Sequence, residues 1–307
     1  MKKRAFTLAE VLIVIALIGF LCTLTLPTFM QTRGSSKFIE KAQKNRELVQ
    51  VAINEVSAMN HNYTPDDWEG VRTSSNKSQA IIKELSKRLK ILSYCGSSPT
   101  GCFAAQGYKT LGGVKTDIVK EDMKSPSENI EKESYRFDIR YEDPEFDNNY
   151  DSGVDSNNIT VTNEKLDYTR ANPKYSSTYV SLLEGGSLVL KTSSTYCNGK
   201  MATSDGLDRP LCGIVYIDVN GPDIPNILGV DVFGFYLSGT SLVPMGFYGD
   251  DFKFSENCRR DLKTNKSNGL ACSAWALANK NMDYRKCVAG KVIDWTTKTR
   301  CNAQSPN

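Results

Sequence analysis

One carboxylate, Glu10, opens an apolar run from Val11 to Leu26, and between Phe6 and Leu26 the only other ionisable group is the thiol of Cys22. At about 1.5 Å per residue that stretch reaches about 31 Å as a helix, the thickness of a bilayer's hydrocarbon layer. A charged carboxylate costs on the order of 2.5–3.5 kcal/mol at the bilayer centre and less near its edge, so Glu10 calls for a cationic partner. Lys2, Lys3 and Arg4 precede the run and hold its N-terminal end in the cytoplasm by the positive-inside rule. Cleavage after the small residue Ala5 would create an α-amino group on Phe6, one helical turn from Glu10. The chemistry open to these residues is peptide hydrolysis at Ala5–Phe6 by a separate peptidase, then amine–carboxylate pairing in an apolar medium.

Other candidate chemistry is sparser. Asp218, Asn220, Asp223 and Asp231 surround the Asn220-Gly221-Pro222 turn and offer hard oxygen ligands of the kind calcium takes. An EF-hand loop starting at Asp218 needs an acidic twelfth residue, where this chain has Gly229. The competing and preferred reading is a turn whose Asn and Asp side chains bond their own backbone, so no cofactor is expected. Cysteines 95, 102, 197, 212, 258, 272, 287 and 301 lie beyond the span. Their grouping suggests the pairs Cys95–Cys102, Cys197–Cys212, Cys258–Cys272 and Cys287–Cys301, among 105 arrangements that eight cysteines permit. With no Cys-x-x-Cys and His61 as the sole histidine, zinc is a poor alternative.

Nucleophilic and acid–base catalysis finds no support. There is no Gly-x-Ser-x-Gly, phosphate loop or His-Glu-x-x-His, and the abundant serines and carboxylates form no constellation, so an enzyme is not expected. Arg259, Arg260, Lys263 and Lys266 form a basic group without interleaved aromatics, which reads as a soluble face rather than a nucleic-acid site.

The order Lys-Lys-Arg-Ala-Phe-Thr-Leu-Ala-Glu-Val-Leu-Ile-Val-Ile, residues 2–15, resembles the leader and helix start of type IV pilins and pseudopilins. The resemblance implies removal of the leader at Ala5, N-methylation of Phe6, and a filament role for Glu10, with Gly19 and Pro27 as loosening points in the apolar helix. The residue before the cut is usually Gly in that family, and here it is Ala5. A secretory signal, a lipoprotein signal and a plain signal anchor account for less. Small residues at a cleavage site after the run are weak, Leu21 rather than a small residue precedes Cys22, and an anchor leaves Glu10 unexplained. Two later blocks, residues 218–233 and 268–284, also resemble blocks of bacterial prepilin-like proteins, for which no enzyme activity is implied.

These groups need elements to position them. From Lys37 to Asn60, the residues Phe38, Ala42, Val49, Ile53, Val56 and Met59 fall near helical spacing among charged residues, predicting an amphipathic continuation of the apolar helix. Gly34-Ser35-Ser36 reads as a soft joint in a helix of about 80 Å. A second helix is expected over 79–92, with Ile81, Ile82, Leu85, Leu89 and Leu92 on one face. Glu184-Gly185-Gly186 between two β-rich runs predicts a hairpin, and strands are expected over 213–219, 232–237 and 242–247. The chain carries +3 overall, yet residues 117–170 hold fifteen acidic and seven basic side chains, which reads as a solvated insertion with one strand over 135–141.

The expected architecture is therefore α+β: a leader at 1–5, a transmembrane and assembly helix at 6–30, its amphipathic continuation at 31–62, and a disulfide-bonded head at 63–307 built on an antiparallel β-sheet. The resemblance implies a structural subunit, a minor pilin or pilin-like protein. The alternatives are a pseudopilin of a type II secretion system and a tip adhesin or DNA-binding module. Implied partners are other pilin subunits, the prepilin peptidase, a membrane platform with its ATPase and, before assembly, the lipid bilayer; nucleic acid is not expected. The implied location is the bacterial cytoplasmic membrane, crossed once with the N-terminus in the cytoplasm and the head periplasmic or extracellular.

Overall fold

The computed structural model describes residues 8–120, 139–141, 175–193, 197, 199–201, 209–287, 293–296 and 301. Its first element, α1, is one uninterrupted helix of 52 residues, Leu8–Met59, about 78 Å long. The expected joint at Gly34-Ser35-Ser36 is absent from its course. A single glycine's propensity cost of roughly 0.5–1 kcal/mol is too small to break a helix continued by good formers on both sides. From Ile39 onward α1 buries Ile39, Ala42, Asn45, Val49, Ala52, Ile53 and Val56, the stripe that 3.6 residues per turn puts on one face. Met59, expected on that stripe, is half exposed, because the helix ends there. His61 and Asn62 turn left-handed, with φ of 58° and 62°, and Asn62 N–H closes on Ser57 O at 2.8 Å.

Two short helices follow, α2 (Glu69–Arg72) and α3 (Lys77–Leu85). Asn76 caps α3 by accepting from Gln79 N–H at 3.0 Å. The helix expected to reach residue 92 stops at Leu85, and Leu92 is 66% exposed. Residues 91–96 form a strand instead, because backbone pairing with residues 179–182 outweighs a weak local helical pattern.

In chain order the strands are β1 (Ile91–Gly96), β2 (Tyr108–Lys109), β3 (Lys115–Thr116), β4 (Ile139–Tyr141), β5 (Tyr175–Leu182), β6 (Ser187–Ser193), β7 (Gly199–Met201), β8 (Arg209–Leu211), β9 (Gly213–Asp218), β10 (Val232–Ser238) and β11 (Ser241–Pro244). Six of them form an antiparallel sheet in the order β1-β5-β6-β9-β10-β11, with β2-β3 and β4-β7-β8 as small separate sheets. The β5–β6 hairpin turns through Gly185 and Gly186 at φ of 91° and 93°. A side chain at Gly186 would sit 2.7 Å from Asp218 O and 2.9 Å from Asn45 Nδ2, so glycine there permits the turn to pack between α1 and β9. Of the acidic segment, Asp117 to Lys120 and strand β4 are described; the remainder of 117–170 lies outside the described residues.

Both faces of the sheet are covered. Val180, Leu182, Leu188, Leu190, Val215, Ile217, Phe233, Phe235 and Leu237 face the cluster that holds α1, α3 and Trp68. The alternate residues Tyr179, Val189, Ile214, Tyr216, Val232 and Tyr236 pack under loop residues such as Phe103, Tyr108, Met245, Phe252 and Leu270. Period-two alternation thus sends each strand's side chains into two cores rather than one.

The β11 edge is closed by α1. Gln50 donates to Thr240 O at 2.7 Å and accepts from Leu242 N–H at 2.7 Å, while Arg46 Nε donates to Leu242 O at 3.1 Å. Side chains of the helix take the place of a further strand, which removes an exposed edge. Two last helices, α4 (Phe254–Asn257) and α5 (Cys272–Asn279), complete the head. Phe254 stacks on Trp275 with centroids 5.0 Å apart, and Trp295 lies 5.0 Å from Trp275.

Candidate functional site

The processing residues Ala5 and Phe6 lie outside the described residues. Glu10, Gly19 and Pro27 fall within α1, whose course continues past all three. Proline lacks the N–H that would bond the carbonyl of Thr23, yet the helix runs on through both positions. Along the first half of α1, Val11, Leu12, Ile13, Val14, Ile15, Leu17, Ile18 and Phe20 are each 45–63% exposed. They cover every direction around the helix, and a helix apolar all round requires lipid or other protein around it. Counted over the described residues alone, no helix is long and apolar enough to cross a membrane.

The oxygen-rich turn is a buried lock. Asp218 ends β9 and Asp231 precedes β10, and both are fully buried. Tyr108 donates its hydroxyl to Asp218 Oδ2 at 2.7 Å and accepts from Ala104 N–H at 3.2 Å. Asp231 accepts from the backbone N–H groups of Asn226 and Ile227, each at 2.7 Å. Asn220 Nδ2 donates to Asp223 O and Ile224 O at 2.6 and 3.0 Å, while Asp223 is exposed. Burial raises Asp218 well above the carboxylate range, and the nearby charge of Asp231 adds to it. Burial also lifts Asp231, to about 6, against the opposing pull of its backbone donors. Tyr108 is held protonated by burial and by Asp218 beside it. The carboxylates of Asp218 and Asp231 are thus engaged by protein donors, although Asn220 Oδ1 and Asn226 Oδ1 are buried without one. Among the described residues, no group of three or more His, Cys, Asp or Glu is placed to hold a metal.

The two C-terminal blocks converge on one junction. Tyr284 donates its hydroxyl to Gly229 O at 2.6 Å, and Ser273 Oγ accepts from Gly234 N–H at 2.8 Å. A side chain at Gly229 would lie 2.6 Å from Gly269 O, one at Gly269 2.3 Å from Leu228 O, and one at Gly246 1.9 Å from Ala271 O. Glycine at these positions lets three backbone segments touch. Asn268 ties the neighbouring loop, accepting from Arg259 N–H at 3.0 Å and donating to Arg259 O and Leu262 O. Asp250 receives Gly246 N–H at 2.7 Å and Phe252 N–H at 2.9 Å, with burial lifting it to about 7.

The cysteines are joined as Cys95–Cys102, Cys197–Cys212, Cys258–Cys272 and Cys287–Cys301. The basic group is tied to the protein in part, with Arg260 and Lys263 still exposed. Arg259 forms a two-point pair with Asp261, Arg260 donates to Arg285 O, and Lys263 donates to Gly112 O. His61 is exposed, with Tyr63 as a ring neighbour at 6.1 Å. Three buried groups escaped sequence reasoning: Asp66, Tyr108 and Asp250. Asp250 had a local signal, a Gly-Asp-Asp turn between aromatics, while Tyr108 meets Asp218 across 110 residues and had none.

Among curated proteins and solved structures, none matches the chain. The family model of the prokaryotic N-terminal methylation motif matches residues 1–26. The first 26 residues are accordingly a prepilin-type cleavage and methylation segment, of the kind typical of type IV pilins and pseudopilins.

Proposed function

We propose that this protein is a structural subunit, a minor pilin or pilin-like protein, of a type IV pilus or related filament. The observation that carries this is the continuity of the methylation motif with α1. Its described apolar side chains between Val11 and Phe20 are exposed on all sides, and from Ile39 onward one face is buried against the head. Before assembly the Phe6–Leu26 stretch stores the subunit in the cytoplasmic membrane with the N-terminus in the cytoplasm. A prepilin peptidase cuts after Ala5 and the Phe6 amine is methylated. A membrane platform with its ATPase then moves the subunit into a filament, where neighbouring helices cover the apolar surface and Glu10 neutralises a neighbour's Phe6 amine.

A large head with four disulfides favours a low-abundance, surface-displaying subunit over a compact major one. That leaves room for a tip-binding role, while a pseudopilin of a secretion system is the alternative for the same anchor. No catalytic step is proposed, and calcium at Asp218, Asn220, Asp223 and Asp231 forms no part of the reading. The deciding measurement is N-terminal mass spectrometry of the mature protein. Methylated Phe6 is the expected species; an intact Met1, or a start beyond Leu26, refutes the pathway.

A further inference from the structure

α1 meets the near end of the head at Ser35, where Arg285 Nη1 donates to Ser35 Oγ at 2.9 Å. Arg260 in turn donates to Arg285 O at 2.7 Å, and its side chain is exposed. Lys286 holds Asp283 at 2.9 Å while more than half of its side chain faces solvent. On the helix, Lys37 and Lys41 are exposed one turn apart. At 3.6 residues per turn they fall on the side of α1 away from Ser35. Five basic side chains thus gather where α1 enters the head, Lys37 and Lys41 on the helix within about 9 Å of Ser35 along its axis, and Arg260, Arg285 and Lys286 on the segments that meet it there. Among the described residues, Glu40 and Asp283 are acidic neighbours in sequence of these basic groups, and Arg259 is paired with Asp261.

We propose that this collar binds anionic phospholipid headgroups on the outer face of the bilayer while the subunit is stored in the membrane, fixing the depth at which the head rides. The inference rests on the membrane-stored state proposed above and adds a partner to it. Its position supports it: with α1 unbroken, Ser35 stands about 14 Å beyond Leu26 along the helix axis. The headgroup layer takes up roughly 5–8 Å of that distance. At Ser35 the remaining gap is within a Debye length of about 8–10 Å and within reach of long Lys and Arg side chains, while Lys41, about 9 Å farther along α1, is the outermost of the five. A basic surface at that height next to an apolar helix complements an anionic leaflet.

The test uses the full chain reconstituted in vesicles of phosphatidylcholine alone and of phosphatidylcholine mixed with phosphatidylglycerol. Lysines are pulsed with an amine-reactive reagent and located by peptide mass spectrometry. Lys37, Lys41 and Lys286 should label about threefold more slowly, or slower still, in the anionic vesicles, and high salt should erase the difference. Lys87, on the turn after α3 near the far end of α1, serves as the unchanged reference. Lys37→Glu with Lys41→Glu should remove the lipid-dependent protection of Lys286. Equal labelling in both lipids, by a chain that floats with the vesicles, overturns the collar alone. Protection seen only in assembled filaments assigns the surface to a neighbouring subunit and also overturns it. A chain that floats with neither vesicle overturns the membrane-stored state and the collar with it.

Discussion

Replacing Gly246 by alanine tests whether the C-terminal junction is held by backbone contact. Gly246 has φ of 77°, and a Cβ there would lie 1.9 Å from Ala271 O, 2.6 Å from Ala271 C and 2.8 Å from its Cα. All three are backbone atoms of the turn leading into α5, which no rotamer change can move aside. The left-handed conformation alone costs alanine about 1–2 kcal/mol, and forcing extra volume into a packed site adds about 1–3 kcal/mol. Two hydrogen bonds pass through the same residue, Trp295 Nε1 to Gly246 O at 2.9 Å and Gly246 N to Asp250 Oδ2 at 2.7 Å. Weakening them adds about 1 kcal/mol. The expected loss is about 3–6 kcal/mol, a large share of a head whose stability is on the order of 5–15 kcal/mol. Gly113→Ala provides the comparison, since Gly113 has φ of 85° but nothing within 4 Å of its Cβ. It should lose only the conformational 1–2 kcal/mol or so. Urea unfolding with disulfides intact, followed by tryptophan fluorescence, reads Trp275 and Trp295 beside the junction. A difference between the variants below about 1 kcal/mol refutes the close-contact account.

Other outcomes follow from the same structure. Glu10→Ala should leave the protein in the membrane but reduce its recovery in sheared filaments about tenfold, if the lost pairing is worth about 1.4 kcal/mol; equal recovery rules out the pairing. Changing Cys258 and Cys272 together to serine opens a loop with a sequence separation of 14 and should destabilise the head by about 3 kcal/mol; an unchanged urea midpoint under non-reducing conditions contradicts this. Burial lifts Asp250 to about 7, and Asp66 and Asp231 to about 6, each from 3.8. Because the folded chain binds these protons more tightly than the unfolded one, their stabilising contribution is complete below pH 3.8 and disappears as pH rises through 6–7. The thermal midpoint should therefore climb by several degrees on acidification from about pH 8 to pH 5, and a flat or falling midpoint there contradicts the assignment.

Local patterns carried much of the fold. The buried stripe on α1 followed from helical spacing, and the β5–β6 hairpin from two glycines between β-rich runs. Residues 91–96 defeated the same reasoning, since Ile91 and Leu92 continue an apolar helical period and only distant pairing with β5 makes them a strand. The second core is a similar case. Its lining comes in large part from segments near residues 103, 118, 228, 252 and 270, none of which carries a periodic signal of its own. At the N-terminus, the methylation segment matched over residues 1–26 was legible because a charge in an apolar run behind a basic leader is conspicuous. The Tyr108–Asp218 bond was not, because the two residues meet only once the sheet is assembled.

The hydrogen bonds from Arg46 and Gln50 to Thr240 and Leu242 have a mechanical consequence. Tension passed along α1 reaches the β11 edge through these bonds and the β5–β6 turn through Lys44–Glu184 and Asn45 Nδ2 to Gly185 O, so the sheet is loaded at two separate places rather than at one margin.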